Sequence, residues 1–145
     1  MRRPLFDGLK LIFQIDCGLT HGVTQSHPVN TSHPVNTPAD LEHVFLQKVV
    51  AQLDQHGDDA DFGVPQLSRK LGLSQSQLYR KIKALTDGST VAFIRRYRLQ
   101  KGKHLLTSTD LTIAEIAYEV GFSAPNYFSD AFFEEFGARP SATRN

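Results

Sequence analysis

Cysteine occurs once in this 145-residue chain, at Cys17, so no intramolecular disulfide can form. The chain is expected to fold on apolar burial alone, in a reducing compartment such as the cytoplasm. Long apolar runs are equally scarce. The stretch from Leu5 to Ile15 is interrupted by Asp7, Lys10 and Gln14, lacks an Ala-x-Ala cleavage site and is too short to span a bilayer, so no membrane association is expected. There is no Gly-rich phosphate loop, no Cys/His cluster and no grouped Ser, His and Asp, which argues against an enzyme and implies no cofactor. Acids are missing from one stretch in particular. Between Pro65 and His104 only Asp87 is acidic, against ten basic residues at 69, 70, 80, 81, 83, 95, 96, 98, 101 and 103. That block holds +9 inside a chain of net charge +1, because residues 40–64 (one Lys, six acids) and 105–145 (two Arg, six acids) compensate it. Charge concentrated in this way implies an anionic partner, nucleic acid above all.

What is present divides the chain in two. Residues 1–39 carry a tandem hexapeptide, Ser-His-Pro-Val-Asn-Thr at 26–31 and 32–37, and Pro28, Pro34 and Pro38 suit an extended, poorly structured linker. His27 and His33 recur because the hexapeptide is duplicated, and no Cys or neighbouring carboxylate completes a metal-ligand set around them. Leu9, Leu11, Phe13 and Ile15 alternate like a strand without a visible partner. From Asp40 the periodicity becomes helical. Asp40 is read as an N-cap, with Leu41, Val44, Phe45, Val49 and Leu53 on one stripe, and the helix ends near Gly57. Asp58, Asp59 and Asp61 then read as a solvated loop.

Residues 65–86 form a helix, a Gly-containing turn and a second helix. Ser68 permits close approach, Gly72 supplies the turn, Ser74 caps the second helix, and Leu67, Leu71, Leu73 and Leu78 fill the space between. The same syntax returns 49 residues later. Ile116-Ala117-x-x-Val120-Gly121-Phe122-Ser123 mirrors Leu67-Ser68-x-x-Leu71-Gly72-Leu73-Ser74, with one extra residue after the serine, so Leu78 matches Phe128 and Ile82 matches Phe132. Two such units lie in tandem, the second at about 112–136, with a connecting helix at about 89–106 between them.

At 100° per residue, the helix from Gln75 to Leu85 gathers Leu78, Ile82 and Leu85 on one side and Ser76, Gln77, Arg80 and Lys83 on the other. Arg80 can donate a bidentate pair to guanine, Gln77 suits adenine, and Lys83 suits a phosphate. Tyr79 lies at the margin, open to core packing or to DNA contact. On the connecting helix Ile94, Leu105, Val91, Gly102, Leu106 and Leu99 share a face. Arg98 falls within that face and is expected to be buried and paired, with Glu115 as partner. Arg95 lies in the same apolar arc. Arg96 and Lys103 project from the polar side, towards phosphates. In the second unit Phe128, Phe132 and Phe136 point inward, while Asn126, Tyr127, Asp130 and Glu134 point outward. The cluster Phe122, Tyr127, Phe128, Phe132, Phe133 and Phe136 is spaced as core, with Phe133 at its edge as a candidate protein contact.

Leu78-Tyr79-Arg80-Lys81-Ile82-Lys83, Phe93-Ile94-Arg95 with Arg98-Leu99, and Glu115-Ile116-Ala117 through Phe132 to Phe136-Gly137-x-x-Pro140 occur in order. Over residues 60–144 the chain resembles the C-terminal DNA-binding domain of the AraC/XylS family of bacterial transcription regulators. The wording from Gln77 to Lys81 is similar to the branch associated with two-component sensor or receiver proteins. The resemblance implies an all-α fold of two helix-turn-helix subdomains joined by a long connecting helix over residues 40–145, with a recognition helix from each in successive major grooves. Double-stranded DNA is the implied partner, with RNA polymerase a further one. No sensor or receiver domain is recognised in these residues. The expected DNA contacts are Ser76, Gln77, Tyr79, Arg80 and Lys83 from the first unit, Arg96 and Lys103 from the connecting helix, and Asn126 and Ser129 from the second. Four positions depart from the family pattern. Gly102 replaces an alanine, which costs the helix about 1 kcal/mol. Asp130 replaces a basic residue, and Phe133-Glu134 replace lysines, so the first unit is expected to dominate affinity. The alternative is a regulator fragment acting through protein interaction. DNA-repair methyltransferases with similar domains need a cysteine-rich metal site, which one Cys cannot build.

Overall fold

The computed structural model describes residues 38–144. Cys17, the alternation of Leu9, Leu11, Phe13 and Ile15, and the hexapeptides lie outside the described residues. These residues form seven helices and no strand: α1 Pro38–Gln55, α2 Val64–Leu71, α3 Gln75–Thr86, α4 Thr90–Ser108, α5 Ile113–Glu119, α6 Pro125–Phe136 and α7 Pro140–Arg144. The fold is all-α, with two helix-turn-helix units joined by the long helix α4.

Helix α1 starts at Pro38, so Asp40 sits within the first turn and is not the N-cap expected from sequence. Proline is favoured at a first helical position because its missing N–H has no intrahelical partner there. The stripe is also shifted. Leu41 is 55% exposed, and the buried residues are Val49, Val50 and Leu53.

The repeat extends to individual hydrogen bonds. In the first unit Gly72 lies at φ 72°, with the N–H of Leu73 donating to the carbonyl of Ser68 (3.0 Å) and that of Gly72 to Arg69 (3.2 Å). In the second, Gly121 lies at φ 92°, with Phe122 donating to Ala117 (2.9 Å) and Gly121 to Tyr118 (3.1 Å). Both are left-handed helix ends that reuse otherwise orphaned carbonyls, which is why each needs a glycine. The units differ where the third helix begins. Ser74 caps α3, whereas α6 starts one residue later in register, with Ala124 as cap residue and Pro125 in the first turn.

Two cores result. The first holds Val49, Val50, Leu53, Phe62, Leu67, Leu78, Ile82, Phe93, Ile94 and Tyr97; the second holds Leu99, Leu106, Ile116, Ala117, Val120, Phe128, Ala131 and Phe132. Each fully buried large side chain contributes on the order of 2 kcal/mol. Helix α4 feeds the first core up to Tyr97 and the second from Leu99 onward. A single stripe therefore misdescribes it: Phe93 and Tyr97 are buried, while Val91 is 64% exposed.

Two polar ties fasten this helix. Near its middle, Asp54 of α1 accepts from Tyr97 Oη (3.0 Å) and pairs with Lys101 Nζ (2.6 Å). Partial burial works to raise the Asp54 pKa, but the hydrogen bond and charge of Lys101 and the hydrogen bond of Tyr97 outweigh it, so its pKa is lowered. Beyond its C-terminus, Arg144 of α7 donates to the carbonyls of Leu106 (3.2 Å), Leu111 (2.7 Å) and Thr109 (3.2 Å).

Candidate nucleic-acid interface

The first candidate helix is set by its cap. Ser74 Oγ accepts from the Gln77 N–H (3.1 Å), and Gln77 Oε1 accepts from the Ser74 N–H (2.9 Å). This reciprocal box satisfies two orphan donors. It also engages the carbonyl end of the Gln77 amide, the group that would accept from an adenine N6 amino group, and leaves the Nε2 donor.

Burial of Leu78 and Ile82 turns Ser76, Gln77, Arg80 and Lys83 into solvent. Tyr79 is 45% exposed and joins them at the surface. Arg80 and Lys83 make no ion pair with any described residue. Their charge is thus uncompensated on one face. Lys81, in contrast, leans onto the ring of Phe45, with Nζ 5.1 Å from its centroid. Beside α3 a cleft of about 480 Å³ is lined by Gln75, Ser76, Tyr79 and Arg80 and by Ser89, Thr90 and Val91 at the start of α4. Thr90, which sequence reasoning did not single out, has a buried hydroxyl without a hydrogen-bond partner among the described residues. Periodicity gives no signal for such a residue, because its burial comes from the packing of α4 on α3.

The second candidate helix has a different electrostatic character. Asn126 and Tyr127 are exposed and Ser129 is half-buried. Each of its three acids is matched by a cation from elsewhere. Asp130 pairs with Arg139 (3.0 Å), Glu134 with Arg95 (2.7 Å) and Glu135 with Arg96 (3.2 Å). Arg139 also lies over the Phe133 ring, 5.0 Å from its centroid. These carboxylates are therefore neutralised locally, and not bare as their outward wheel positions suggest.

The connecting helix correspondingly offers fewer free cations than its sequence implies. Arg96, expected at phosphates, has only 16% of its side chain exposed and is held by Glu135. Its Nη1 is buried without a hydrogen-bond partner among the described residues. Lys103 is exposed, with Nζ 4.6 Å from the centroid of Phe136. Arg95 is a surface residue paired with Glu134. Arg98 is drawn inward, but its partner is not Glu115, which closes a capping box with Thr112. Arg98 Nη2 donates to the carbonyls of Phe62 (2.8 Å) and Asp59 (3.1 Å). Backbone acceptors carry no sequence signature, so this pairing was invisible to residue-type reasoning. Burial lowers the Arg98 pKa, and the nearby Asp59 partly offsets that.

A family profile described as a helix-turn-helix domain matches residues 67–145. The chain belongs to the AraC/XylS family. This AraC-type domain is a DNA-binding domain of transcription regulation, and the family is not an enzyme class. The chain is 33% identical over 107 residues to "Histidine kinase P4" of Formosa agariphila, covering 74% of this chain and 8% of the kinase. It thus spans a small part of that relative's length. Among solved structures it resembles the C-terminal domain of AraT, a response regulator from Geobacillus stearothermophilus, at 30% identity and a TM-score of 0.62, over 68% of this chain and 82% of that one. It resembles the DNA-binding domain of AdpA, a global transcriptional factor solved in complex with a target DNA, at 26% identity and a TM-score of 0.62, over 68% and 88% of the two chains. Among the described residues no helix is long and apolar enough to cross a membrane.

Proposed function

We propose that this AraC-type domain binds double-stranded DNA sequence-specifically, laying α3 and α6 in successive major grooves on one face of the duplex, with α3 supplying most of the affinity. The observation that carries this reading is the unpaired basic face of α3 beside the charge-matched face of α6. Arg80 and Tyr79 read bases with the free amide donor of Gln77, while Ser76 and Lys83 hold phosphates. Asn126 and Ser129 contribute from α6, with few cations near them. Lys103 reaches a phosphate from α4, and Arg96 does so only on leaving Glu135. The solution of AdpA with target DNA supports the same use of a similar fold. Residues 40–145 act as the DNA-binding domain, whose first helix reaches back to Pro38, and the segment before that helix acts as a linker. The whole protein would act as a bacterial regulator, with RNA polymerase as a downstream partner and a sensor or receiver as its source of signal.

The test is fluorescence anisotropy of the full chain with a randomised duplex across a salt series, beside the Arg80→Ala/Lys83→Ala variant. Binding that weakens with salt and is lost in the variant is expected. The second reading, a protein-interaction module, draws on the exposed Tyr127 and Phe133 beside Asp130. It gains if the folded protein binds no duplex at low salt.

A further inference from the structure

We propose that Arg98 is a positioning residue that locks the second helix-turn-helix unit onto the first and thereby fixes the offset between the two recognition helices. Arg98 stands at the handover in α4, between Tyr97, which is buried in the first core, and Leu99, which is buried in the second. Its guanidinium reaches back into the first unit, where Nη2 bonds the carbonyls of Asp59 and Phe62 in the segment joining α1 to α2. The second unit rests on the other side of the same group. A Cβ built on Gly121 would lie 2.9 Å from Arg98 Nε, 3.0 Å from its Cζ and 2.8 Å from the carbonyl oxygen of Gly57 just past α1.

The internal repeat supplies the control. Gly72 occupies the equivalent turn of the first unit, also at positive φ (72° against 92°), yet a Cβ there would meet nothing within 4 Å. The turn motif alone therefore explains the left-handed glycine but not the crowding. The crowding belongs to the joint, in which the turn of the second unit is seated on Arg98 and on the end of α1. Phe122, the residue after Gly121, lines a cleft of about 180 Å³ with Arg98, Ile94, Val91 and Gly63, so the contact continues along the seam. Gly121 lies in the turn between α5 and α6, and Phe62 lies just before α2, which leads on to α3. A guanidinium bonded to one side and packed under the other thus ties the turn before α6 to the segment that leads into α2, beside the direct packing of both candidate DNA helices on α4. The consequence for DNA rests on the reading above: a fixed offset makes binding sensitive to the number of base pairs between half-sites, because one added pair rotates and shifts one site relative to the other.

The test begins without DNA. In the full chain carrying Cys17→Ser, the exposed Ser76→Cys and Asn126→Cys positions take spin labels, and pulsed dipolar spectroscopy reads the distance between α3 and α6. A single narrow distribution is expected. Arg98→Ala is expected to broaden it about twofold with helicity retained by circular dichroism. Arg98→Lys, which keeps the stem and one donor, is expected to broaden it less, and it serves as the test if the alanine variant does not fold. An unchanged width in the folded variants overturns the proposal. The unlabelled proteins are then titrated with a selected duplex and with one carrying a single base-pair insertion between half-sites. The parent is expected to lose at least tenfold in affinity on insertion and Arg98→Ala less than threefold; equal losses also overturn the proposal. A narrow distance that broadens in the variants, with no duplex binding by the parent, would leave the joint standing and remove the DNA reading.

Discussion

Gly102 and Phe128 occupy the same space in the second core: a Cβ on Gly102 would stand 2.7 Å from Phe128 Cε1 and 2.9 Å from its Cζ. Glycine in a helix interior costs about 1 kcal/mol relative to alanine, but here it admits an aromatic ring where the first unit has Leu78. Gly102→Ala is therefore expected to lower stability by about 1 kcal/mol or more, since overpacking a core exceeds the propensity gain. Adding Phe128→Leu should recover much of the loss, giving a favourable coupling in a double-mutant cycle followed by urea unfolding. A single Gly102→Ala variant more stable than the parent would show that the ring yields freely.

Asp87 is the one described non-glycine residue at positive φ (63°), and it ends α3 as its C-cap. It combines left-handed strain with a negative charge at the negative end of the helix dipole. Asp87→Gly is expected to raise stability by about 1 kcal/mol, read as a rise of several degrees in the thermal midpoint. A lowered midpoint would mean that the side chain contributes something the backbone argument omits.

Asp54 sets a pH dependence of definite sign. Its pKa is lower in the folded chain than in the unfolded one, so its contribution is fully present above the ordinary carboxylate value, about 4, and is lost as pH falls through the lower folded value. Because its side chain is 46% exposed, that contribution should not exceed about 1 kcal/mol. Unfolding of the parent and of Asp54→Asn should therefore differ by a constant amount from pH 8 to about pH 5 and converge below pH 4. A gap that widens on acidification would reverse the assigned shift.

The carboxylates of α6 hold Arg95 and Arg96 against the helix. Glu134→Gln with Glu135→Gln should release both cations, tightening duplex binding at low salt by roughly fivefold and steepening its salt dependence by about one to two phosphates. Asp130→Arg should tighten binding as well. Unchanged affinity in both variants would indicate that α6 does not approach DNA.

The parts legible in the sequence were those set by local chemistry. Gly72 and Gly121 announce their turns because few residues tolerate positive φ, and Leu78, Ile82, Phe128 and Phe132 declare the inner faces of α3 and α6 by spacing alone. Three features were not legible. Helix α4 serves two cores in succession, so Phe93 and Tyr97 fall off any single stripe. Arg98 binds carbonyls, which every residue possesses. The pairings of Arg95 and Arg96 with Glu134 and Glu135 span 39 residues and depend on how α6 packs over α4, which charge counting cannot foresee. At the candidate site, exposure of the α3 face followed from its periodicity, and the Ser74-x-x-Gln77 spacing is a capping-box signature that the hydrogen bonds of the Gln77 amide fulfil.

The clamp formed by Arg144 has a consequence for the order in which the chain is made. Its three carbonyl acceptors, at Leu106, Thr109 and Leu111, are synthesised more than thirty residues ahead of it. The first core is complete once Tyr97 has emerged from the ribosome, so that unit can close early. The second core has its buried residues once Phe132 has emerged, but its interhelical loop stays unlatched until Arg144 follows. During that interval the nascent chain would display a finished basic first unit beside a second one not yet latched.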